Sequence, residues 1–385
     1  MDVLMFDSPS EISLVLSRSF SSSLGHRQTF LSTGKDYFVH LESLTSTYAA
    51  ALSAPSNSIT LLDKGRLSAV VTVNAHNDSI TSLKSSPSSS NLGQRALLSS
   101  GRDGLVKVWD DRIEEKSGAV LEFKDERAIL TFDISANGTS LVAGTEHSEE
   151  EAHIVFWDVR SPSHATHINT TAHSDDISTI RFHPRITQLL LSASTDGLLC
   201  LTDPREEDEN ESGLHVGNWG CSISNAGWAD PGPSGPSGAG GVWAHSDMQT
   251  VSLWNEELDL VHDYGDIRKP RIEGLWESDY FIDAIWLGNG SPLAPSSTGG
   301  VGLWMGSNRG DAALVFAQDA HKLKLERALK GSHSDVVRSI LWDMKHSIII
   351  TGGEDSRVSA WSVSGDQTFE KNIRGSIDVD EATQD

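Results

Sequence analysis

The fold of the chain is decided by a short stretch, LLSSGRDGLVKVWD at residues 97–110. It joins a run of small residues, a turn with an aspartate, an alternating apolar strand and a final Trp-Asp pair. Two further copies read LLSASTDGLLCLTD at residues 190–203 and IITGGEDSRVSAWS at residues 349–362. In all three copies the turn aspartate precedes the tryptophan position by six residues. This fixed offset indicates an internal repeat, which has to be recognised before local structure is assigned.

Four looser copies extend the repeat along the chain and end at Leu62, Trp157, Trp254 and Phe316. From one tryptophan position to the next, the seven units lie 45 to 62 residues apart. The shortest steps match the roughly 40–45-residue period of four-stranded propeller blades. Seven units suit a closed ring, since propellers usually have about 4–8 blades. The sequence therefore predicts an all-β fold, a seven-bladed β-propeller.

Short antiparallel strands explain this pattern of residues. Val106-Lys107-Val108-Trp109 alternates with the period of two that a half-buried strand requires. Asp103-Gly104 is typical of a hairpin turn between the second and third strands. A tryptophan buries about 150–250 Å² in a core, and we expect four of them to act as wedges between neighbouring sheets. These are Trp109, Trp157, Trp254 and Trp361.

The charge of the chain argues against nucleic acid as a partner. It carries 54 acidic and 30 basic residues, a formal net charge of −24, whereas phosphate binding needs clustered Lys and Arg. The acidity also disfavours docking on anionic lipid, and no apolar run approaches the roughly 18–20 residues of a membrane span. The start lacks the basic region of a signal peptide. Two cysteines make no disulfide framework, so we expect an intracellular protein, cytoplasmic, nuclear or both.

Several motifs along the chain resemble the WD-repeat superfamily. Besides the Trp-Asp ends, they include HSDDI at residues 173–177 with RFHP at residues 181–184, AGTE at residues 143–146, and VRS at residues 337–339 leading to TGGED at residues 351–355. Over about residues 36–365 the chain resembles in particular the WD repeat-containing protein 89 family. This resemblance implies a propeller and a scaffold that mediates protein–protein interactions.

The resemblance also implies a buried hydrogen-bond chain inside individual blades. Residues that match it are His76, Ser99, Asp103 and Trp109 in one unit, His173, Ser192 and Asp196 in a second, and His333, Thr351, Asp355 and Trp361 in a third. In the second unit Thr202 replaces the tryptophan, so that chain is truncated.

A Ser, a His and an Asp in each unit also suggest a hydrolytic triad. However, the set recurs at repeat spacing, whereas an active site occurs once, and no Gly-x-Ser-x-Gly elbow accompanies it. We therefore expect no catalytic residue and no enzyme. His164, His167 and His173 lack the Cys or carboxylate partners of a zinc site, and Gly299-Gly300 lacks the Lys-Ser/Thr of a phosphate loop. We expect neither a metal nor a cofactor.

The extent of the repeats defines the domain organisation. We expect residues 1–35 to contribute a strand that closes the ring, residues 36–365 to form the propeller, and residues 366–385 to be an acidic disordered tail. Residues 28–32 are the candidate closing strand, residues 12–16 are the alternative, and a frayed N-terminus competes with both. Closure matters because a free edge strand promotes aggregation. We expect the acidic run EEDENE at residues 206–211 to follow the fourth blade.

Carboxylates follow the repeat histidines by two or three residues. They are Asp78, Asp175, Asp176 and Asp335, and the repeat places them in loops on one face of the disc, where we expect them to cluster near one mouth of the channel. Such a surface would attract basic peptides and weaken with salt. The alternative is that these loops and the acidic runs only aid solubility.

An arginine follows two of the Trp-Asp pairs. Trp109-Asp110-Asp111-Arg112 and Trp157-Asp158-Val159-Arg160 resemble the Trp-Asp-x-Arg box of WD-repeat substrate receptors of cullin-4 ubiquitin ligases. In that family the arginine contacts the ligase adaptor, for which a planar guanidinium is suited. The alternative is an arginine that only neutralises the adjacent aspartate. We thus expect a non-enzymatic scaffold, a monomeric propeller within a complex, with a cullin-4 substrate receptor as the alternative.

Overall fold

The computed structural model of the chain describes residues 12–21, 25–32, 35–87, 92, 96–110, 118–149, 151–229, 240–288, 291, 293, 300–319 and 322–363. Two strands precede the propeller, β1 (Ser13–Ser21) and β2 (Gly25–Leu31). The other strands follow in seven consecutive groups, and each group forms its own sheet. The predicted all-β, seven-bladed propeller is therefore confirmed.

The first three blades each contain four strands in chain order. Blade 1 consists of β3 (Phe38–Ser43), β4 (Thr47–Leu52), β5 (Ser58–Asp63) and β6 (Ala69–Asn74). Blade 2 consists of β7 (Ile80–Ser85), β8 (Ala96–Gly101), β9 (Leu105–Asp110) and β10 (Leu121–Lys124). Blade 3 consists of β11 (Ile129–Ile134), β12 (Ser140–Thr145), β13 (Ile154–Asp158) and β14 (His167–Asn169).

Blades 4 and 5 repeat this order, and a short helix interrupts blade 4. Blade 4 consists of β15 (Ile177–Phe182), β16 (Leu190–Ser194), β17 (Leu198–Thr202), α1 (Glu209–Ser212) and β18 (Gly213–Asn218). Blade 5 consists of β19 (Ile223–Trp228), β20 (Val242–Ser246), β21 (Thr250–Trp254) and β22 (Leu260–Asp266). The acidic run at residues 206–211 thus lies inside blade 4, not after it, because a repeat unit ends at the third strand of a blade and not at the fourth.

The N-terminal strands extend blade 6 and complete blade 7. Blade 6 consists of β23 (Tyr280–Leu287), β24 (Gly300–Gly306), β25 (Ala312–Asp319) and β26 (Lys322–Leu329), and blade 7 consists of β27 (Val337–Asp343), β28 (Ile348–Gly353) and β29 (Arg357–Ser362). β2 pairs antiparallel with β29 as the fourth strand of blade 7. β1 pairs parallel with β26 as a fifth strand of blade 6. Residues 28–31 therefore lie in the strand that joins the chain start to the last blade, and residues 13–16 cover the neighbouring blade.

The strand order defines two faces of the disc. Within each blade, successive strands run antiparallel. The loops that lead into the inner strands and those between second and third strands lie on one face, here called the top face. The loops between first and second and between third and fourth strands lie on the bottom face. The seven inner strands each carry a register shift at their start, which bends them; the shifts are at 38/40, 80/82, 129/131, 177/179, 223/225, 281/283 and 337/339.

The hydrophobic core lies between the blades. Trp109 of blade 2 packs in one cluster with Leu44, Ala49 and Val71 of blade 1. The other wedge tryptophans likewise pack in clusters with the preceding blade, Trp157 with blade 2, Trp254 with blade 4 and Trp361 with blade 6. Each is at most 4% exposed. Burial of these rings holds adjacent sheets together.

Candidate functional site

The hydrogen-bond chain of blade 2 runs from the core to the top face. Trp109 Nε1 donates to Ser99 Oγ at 2.9 Å, Ser99 Oγ lies 2.8 Å from His76 Nε2, and His76 Nδ1 lies 2.9 Å from Asp103 Oδ1. The second carboxylate oxygen accepts the Asn77 amide at 2.9 Å. Burial lowers the pKa of His76, and a neutral imidazole lets Ser99 donate to Nε2 while Nδ1 donates to Asp103. Every polar group of the chain is then satisfied.

Blade 7 repeats the same arrangement with a threonine. Trp361 Nε1 donates to Thr351 Oγ1 at 3.0 Å, His333 Nε2 lies 2.8 Å from the same oxygen, and His333 Nδ1 lies 3.0 Å from Asp355 Oδ1. Asp355 Oδ2 accepts the Ser334 amide at 2.9 Å. The structure thus brings together all four residues that the sequence singled out in this unit.

Blade 4 contains the chain without its tryptophan. His173 lies 2.8 Å from Ser192 Oγ and 3.2 Å from Asp196 Oδ2. Burial raises the pKa of Asp196, but the hydrogen bonds from His173 and two backbone amides outweigh it, so the pKa is lowered overall. Thr202 stands in the tryptophan position, and its buried hydroxyl has no hydrogen-bond partner among the described residues. A cavity of about 10 Å³ remains there, and residues of and before α1 contribute to its lining.

In blades 3 and 5 the tryptophan indole does not have the hydrogen-bond partner that it has in blades 2 and 7, a difference that the repeat motifs did not predict. Trp157 Nε1 of blade 3 is buried and has no hydrogen-bond partner in the part of the chain described, because Ala143 takes the place that Ser99 has in blade 2. In blade 5, Trp254 Nε1 donates to Ser252 Oγ on its own strand at 2.8 Å. The sequence does indicate the difference in blade 3, because residue 143 is neither Ser nor Thr.

The repeated Ser, His and Asp groups are therefore parts of the fold. His76, His173 and His333 are at most 6% exposed, and each is held between its hydroxyl and its carboxylate. A hydrolytic triad needs a nucleophile that a substrate can reach. These buried hydroxyls do not offer one.

The loop carboxylates lie on the top face but at three separate places. Asp78 leads into blade 2, Asp175 and Asp176 lead into blade 4, and Asp335 leads into blade 7. Asp78, Asp175 and Asp335 are exposed and each accepts the amide of the next residue at 2.6–2.8 Å. Asp176 reaches blade 3 and accepts the His147 amide at 2.7 Å.

The Asp-x-Arg fork is on the bottom face. Arg160 is bidentate to Asp158, with Nε 2.9 Å from Oδ1 and Nη2 2.5 Å from Oδ2, and its hydrogen bonds lower the pKa of Asp158 to about 2. Even so, 72% of the Arg160 side chain is exposed. Arg205 makes the same fork with Asp203 on blade 4. Arg112 lies outside the described residues.

The central channel has a volume of about 730 Å³ and is lined by the inner strands of all seven blades. The fifth residues of four consecutive inner strands alternate in charge, Glu42, Lys84, Asp133 and Arg181. Lys84 Nζ lies 2.8 Å from Asp133 Oδ1, and burial raises the pKa of Glu42. The equivalent residues of the other three blades are Gly227, Ile285 and Leu341. At this position in the strands, charged residues are therefore confined to blades 1 to 4, although Asp283 and Arg338 also line the channel.

A second cluster of titratable residues lies where blades 7 and 1 meet. Asp343 Oδ2 accepts from Lys64 Nζ at 2.9 Å, from the Tyr48 hydroxyl at 3.1 Å and lies 2.9 Å from His346 Nδ1. Burial raises the pKa of Asp343, but the hydrogen bonds from Lys64 and His346 outweigh it and lower the pKa to about 2. No sequence motif indicates this non-repeating cluster, because Asp343 lies 279 residues from Lys64 and 295 residues from Tyr48.

Among the described residues, no group of three or more His, Cys, Asp or Glu side chains is arranged to hold a metal ion. None of the helices in the described ranges is long and apolar enough to cross a membrane.

Comparisons with known proteins agree with this geometry. The family model "WD domain, G-beta repeat" matches residues 67–110 and 323–362, which contain the hydrogen-bond chains of blades 2 and 7. The chain thus contains WD repeats within its seven-bladed β-propeller. It is similar to "WD repeat-containing protein 89 homolog" of Dictyostelium discoideum, at 24% identity over 86% of this chain and 84% of that protein. It is also similar to "WD repeat-containing protein GTS1" of Arabidopsis thaliana, at 25% identity over 87% and 83% of the two chains.

Proposed function

We propose that this propeller is a non-enzymatic scaffold that holds other proteins in a complex. The proposal is supported mainly by one observation. The repeated His, Ser or Thr, and Asp side chains are hydrogen-bonded to one another inside the blades. They stiffen the sheets and fix the top-face loops, as in the Asn77, Ser174 and Ser334 amides bound by their aspartates. Rigid loops at fixed spacing let partners dock with a smaller loss of conformational entropy. We expect a monomeric propeller, cytoplasmic, nuclear or both.

The experiment is co-purification from the native cell with variants of each face. Asp175→Asn and Asp335→Asn change the top face, and each keeps the oxygen that accepts the next amide. Arg160→Ala changes the bottom face. We expect at least one face variant to lose partners at unchanged melting temperature. Turnover of a small molecule by the purified protein, abolished by a channel variant such as Arg181→Ala, would refute the non-enzymatic role.

We infer a role for the top-face carboxylates in binding basic peptides. Their separation over blades 2, 4 and 7 suits an extended partner more than a single side chain. Binding of an oligolysine peptide should weaken as salt rises from 0.05 to about 0.5 M, because ions screen exposed charges. Affinity that is independent of salt, or that is unchanged by combining Asp78→Asn, Asp175→Asn and Asp335→Asn, would contradict this inference.

A cullin-4 substrate receptor is the second candidate, and the exposed bidentate fork of Arg160 favours it. The test is a pull-down with the ligase adaptor, comparing the wild type with Arg112→Ala plus Arg160→Ala. Arg268 provides a matched control, since it makes the same fork with Asp266 after β22, on the top face. Loss of adaptor with the double variant and retention with Arg268→Ala would support the receptor role. Equal recovery of the adaptor with all three proteins would rule out the receptor role.

A further inference from the structure

The rim of the propeller is formed by the outermost strand of each blade. β1 covers the outer edge of β26 in blade 6, and β2, which carries Arg27, is itself the outermost strand of blade 7. In the described part of the chain, no strand covers the outer edges of β6, β10, β14, β18 and β22. An open edge presents backbone N–H and C=O groups that another strand can pair with, and proteins usually blunt such edges with charge, irregularity or short length.

β18 of blade 4 is one of the two edges that are least protected against pairing with another strand. Its sequence GLHVGN contains no Asp, Glu, Lys or Arg, and its Leu214 and Val216 side chains are 47% and 62% exposed. By contrast, β10 carries Glu122 and Lys124, β14 has only three residues, and β22 has two register shifts. β6 alone matches β18 in length, lack of charge and an exposed valine, Val70, which is 61% exposed.

The residues next to each edge distinguish β18 from β6. Five carboxylates precede β18 at its bottom-face end, and they are Glu206, Glu207, Asp208, Glu209 and Glu211; all except Glu209 are exposed. The loop before β6 instead contains Lys64 and Arg66. A strand that pairs with β18 would therefore meet strong negative potential at one end, which favours basic residues there.

The molecule itself shows that a blade accepts a fifth strand. β1 pairs in parallel with β26 over residues 13–16 and 322–325, and Leu14 packs against the adjacent core cluster. Backbone hydrogen bonds of this kind give affinity, while alternate side chains give specificity. The outer edge of blade 4 has the same position in the fold, and no strand of the described residues pairs with it.

We propose that the outer edge of β18 binds an extended basic segment of a protein partner as a fifth strand of blade 4. The added strand runs parallel to β18, as β1 does to β26. Its N-terminal residues are basic and lie beside residues 206–211, and alternate apolar residues that follow contact Leu214 and Val216. This proposal rests on the scaffold role and specifies one partner chemistry for it.

The test uses the full chain and a labelled synthetic peptide of three lysines followed by alternating valine and threonine. Fluorescence anisotropy measures its affinity for the wild type, for Val216→Lys and for the matched control Val70→Lys. We expect Val216→Lys to weaken binding at least about tenfold and Val70→Lys to leave it unchanged. A peptide with three glutamates in place of the lysines should bind at least about tenfold more weakly.

Two further measurements locate the site. Hydrogen exchange should slow at residues 213–218 when the peptide binds, and Glu206→Gln with Glu207→Gln should weaken binding and reduce its dependence on salt. Equal loss of affinity in Val216→Lys and Val70→Lys, or slowed exchange at β6 instead of β18, would overturn the proposal. The scaffold role would survive that result, because the variants of the two faces test it independently.

Discussion

The aspartate that ends each hydrogen-bond chain binds two elements at once. Asp355 accepts from His333 on one oxygen and from the Ser334 amide on the other, so it ties the loop before blade 7 to the hairpin of the same blade. A buried donor without a partner costs about 1–3 kcal/mol. This carboxylate is therefore expected to matter for stability more than for binding.

We predict that Asp355→Ala lowers the free energy of unfolding by about 1–3 kcal/mol, because His333 and Ser334 lose their acceptor. Urea denaturation measures the change. Asp335→Ala is the control, since this exposed aspartate lies two residues from His333 and its side chain accepts the next amide. Equal stability of the two variants would show that the buried chain contributes nothing measurable.

Replacing the tryptophan of blade 2 is expected to lower stability more than the same replacement in blade 3. Trp109→Phe removes a hydrogen bond to Ser99, whereas Trp157→Phe removes an indole N–H that has no partner among the described residues. We expect Trp109→Phe to cost about 1 kcal/mol more than Trp157→Phe. Thermal unfolding of both variants measures this difference, and a larger loss for Trp157→Phe would contradict the assigned contacts.

At the scale of elements, the two N-terminal strands have different positions. β2 completes the four strands of blade 7. Its Phe30 packs edge-on against Phe38 of blade 1, with the ring centres 6.2 Å apart. β1 adds a fifth strand to a blade that already has four. The first strand therefore covers an edge, and the second joins the two ends of the ring.

We predict that removing residues 1–21 leaves a folded monomer with a lower melting temperature, because blade 6 keeps four strands. Removing residues 1–32 should cause a larger decrease and association into oligomers, because blade 7 then has a free edge at the seam. Calorimetry and gel filtration measure both effects. Equal behaviour of the two truncations would contradict the different positions of β1 and β2.

The sequence predicted those elements that repeat. The positions from Leu62 to Trp361 all fall in the third strands of their blades, because periodic side chains report blade geometry directly. The fifth strand on blade 6 was missed, since β1 carries no repeat motif and its partner is about 300 residues away. The Asp343 cluster was missed for the same reason, as Tyr48 and Lys64 have no repeated counterpart. Sequence spacing does not show contacts that only ring closure creates.

At the scale of the whole molecule, two histidines, one lining the channel and one buried in blade 5, are expected to make stability depend on pH. Burial lowers the pKa of His40 and of His245 to about 4, and His245 stacks on Phe281 with ring centres 4.1 Å apart. The unfolded chain binds protons at these groups near pH 6.5, before the folded chain does. Their contribution to stability is therefore complete above about pH 6.5 and is lost as the pH falls towards 4.

We predict that the free energy of unfolding decreases steadily between pH 6.5 and pH 4, as measured by urea denaturation in a series of buffers. His245→Gln should reduce this slope, since it removes one group whose pKa differs between the two states. His215→Gln, at an exposed position on β18, should leave it unchanged. A slope that is the same in both variants would show that His245 does not carry the effect.

The pairing of the first strands with the last blades constrains synthesis of the chain. Thr29 contacts Ser359 across 330 residues, and ribosomes add about 5–20 residues per second. The N-terminal strands therefore leave the ribosome roughly 15 to 65 s before their partners exist. During that interval β1 and β2 have no partner strand, so native protection from proteases at these strands arrives only after blades 6 and 7 have been synthesised.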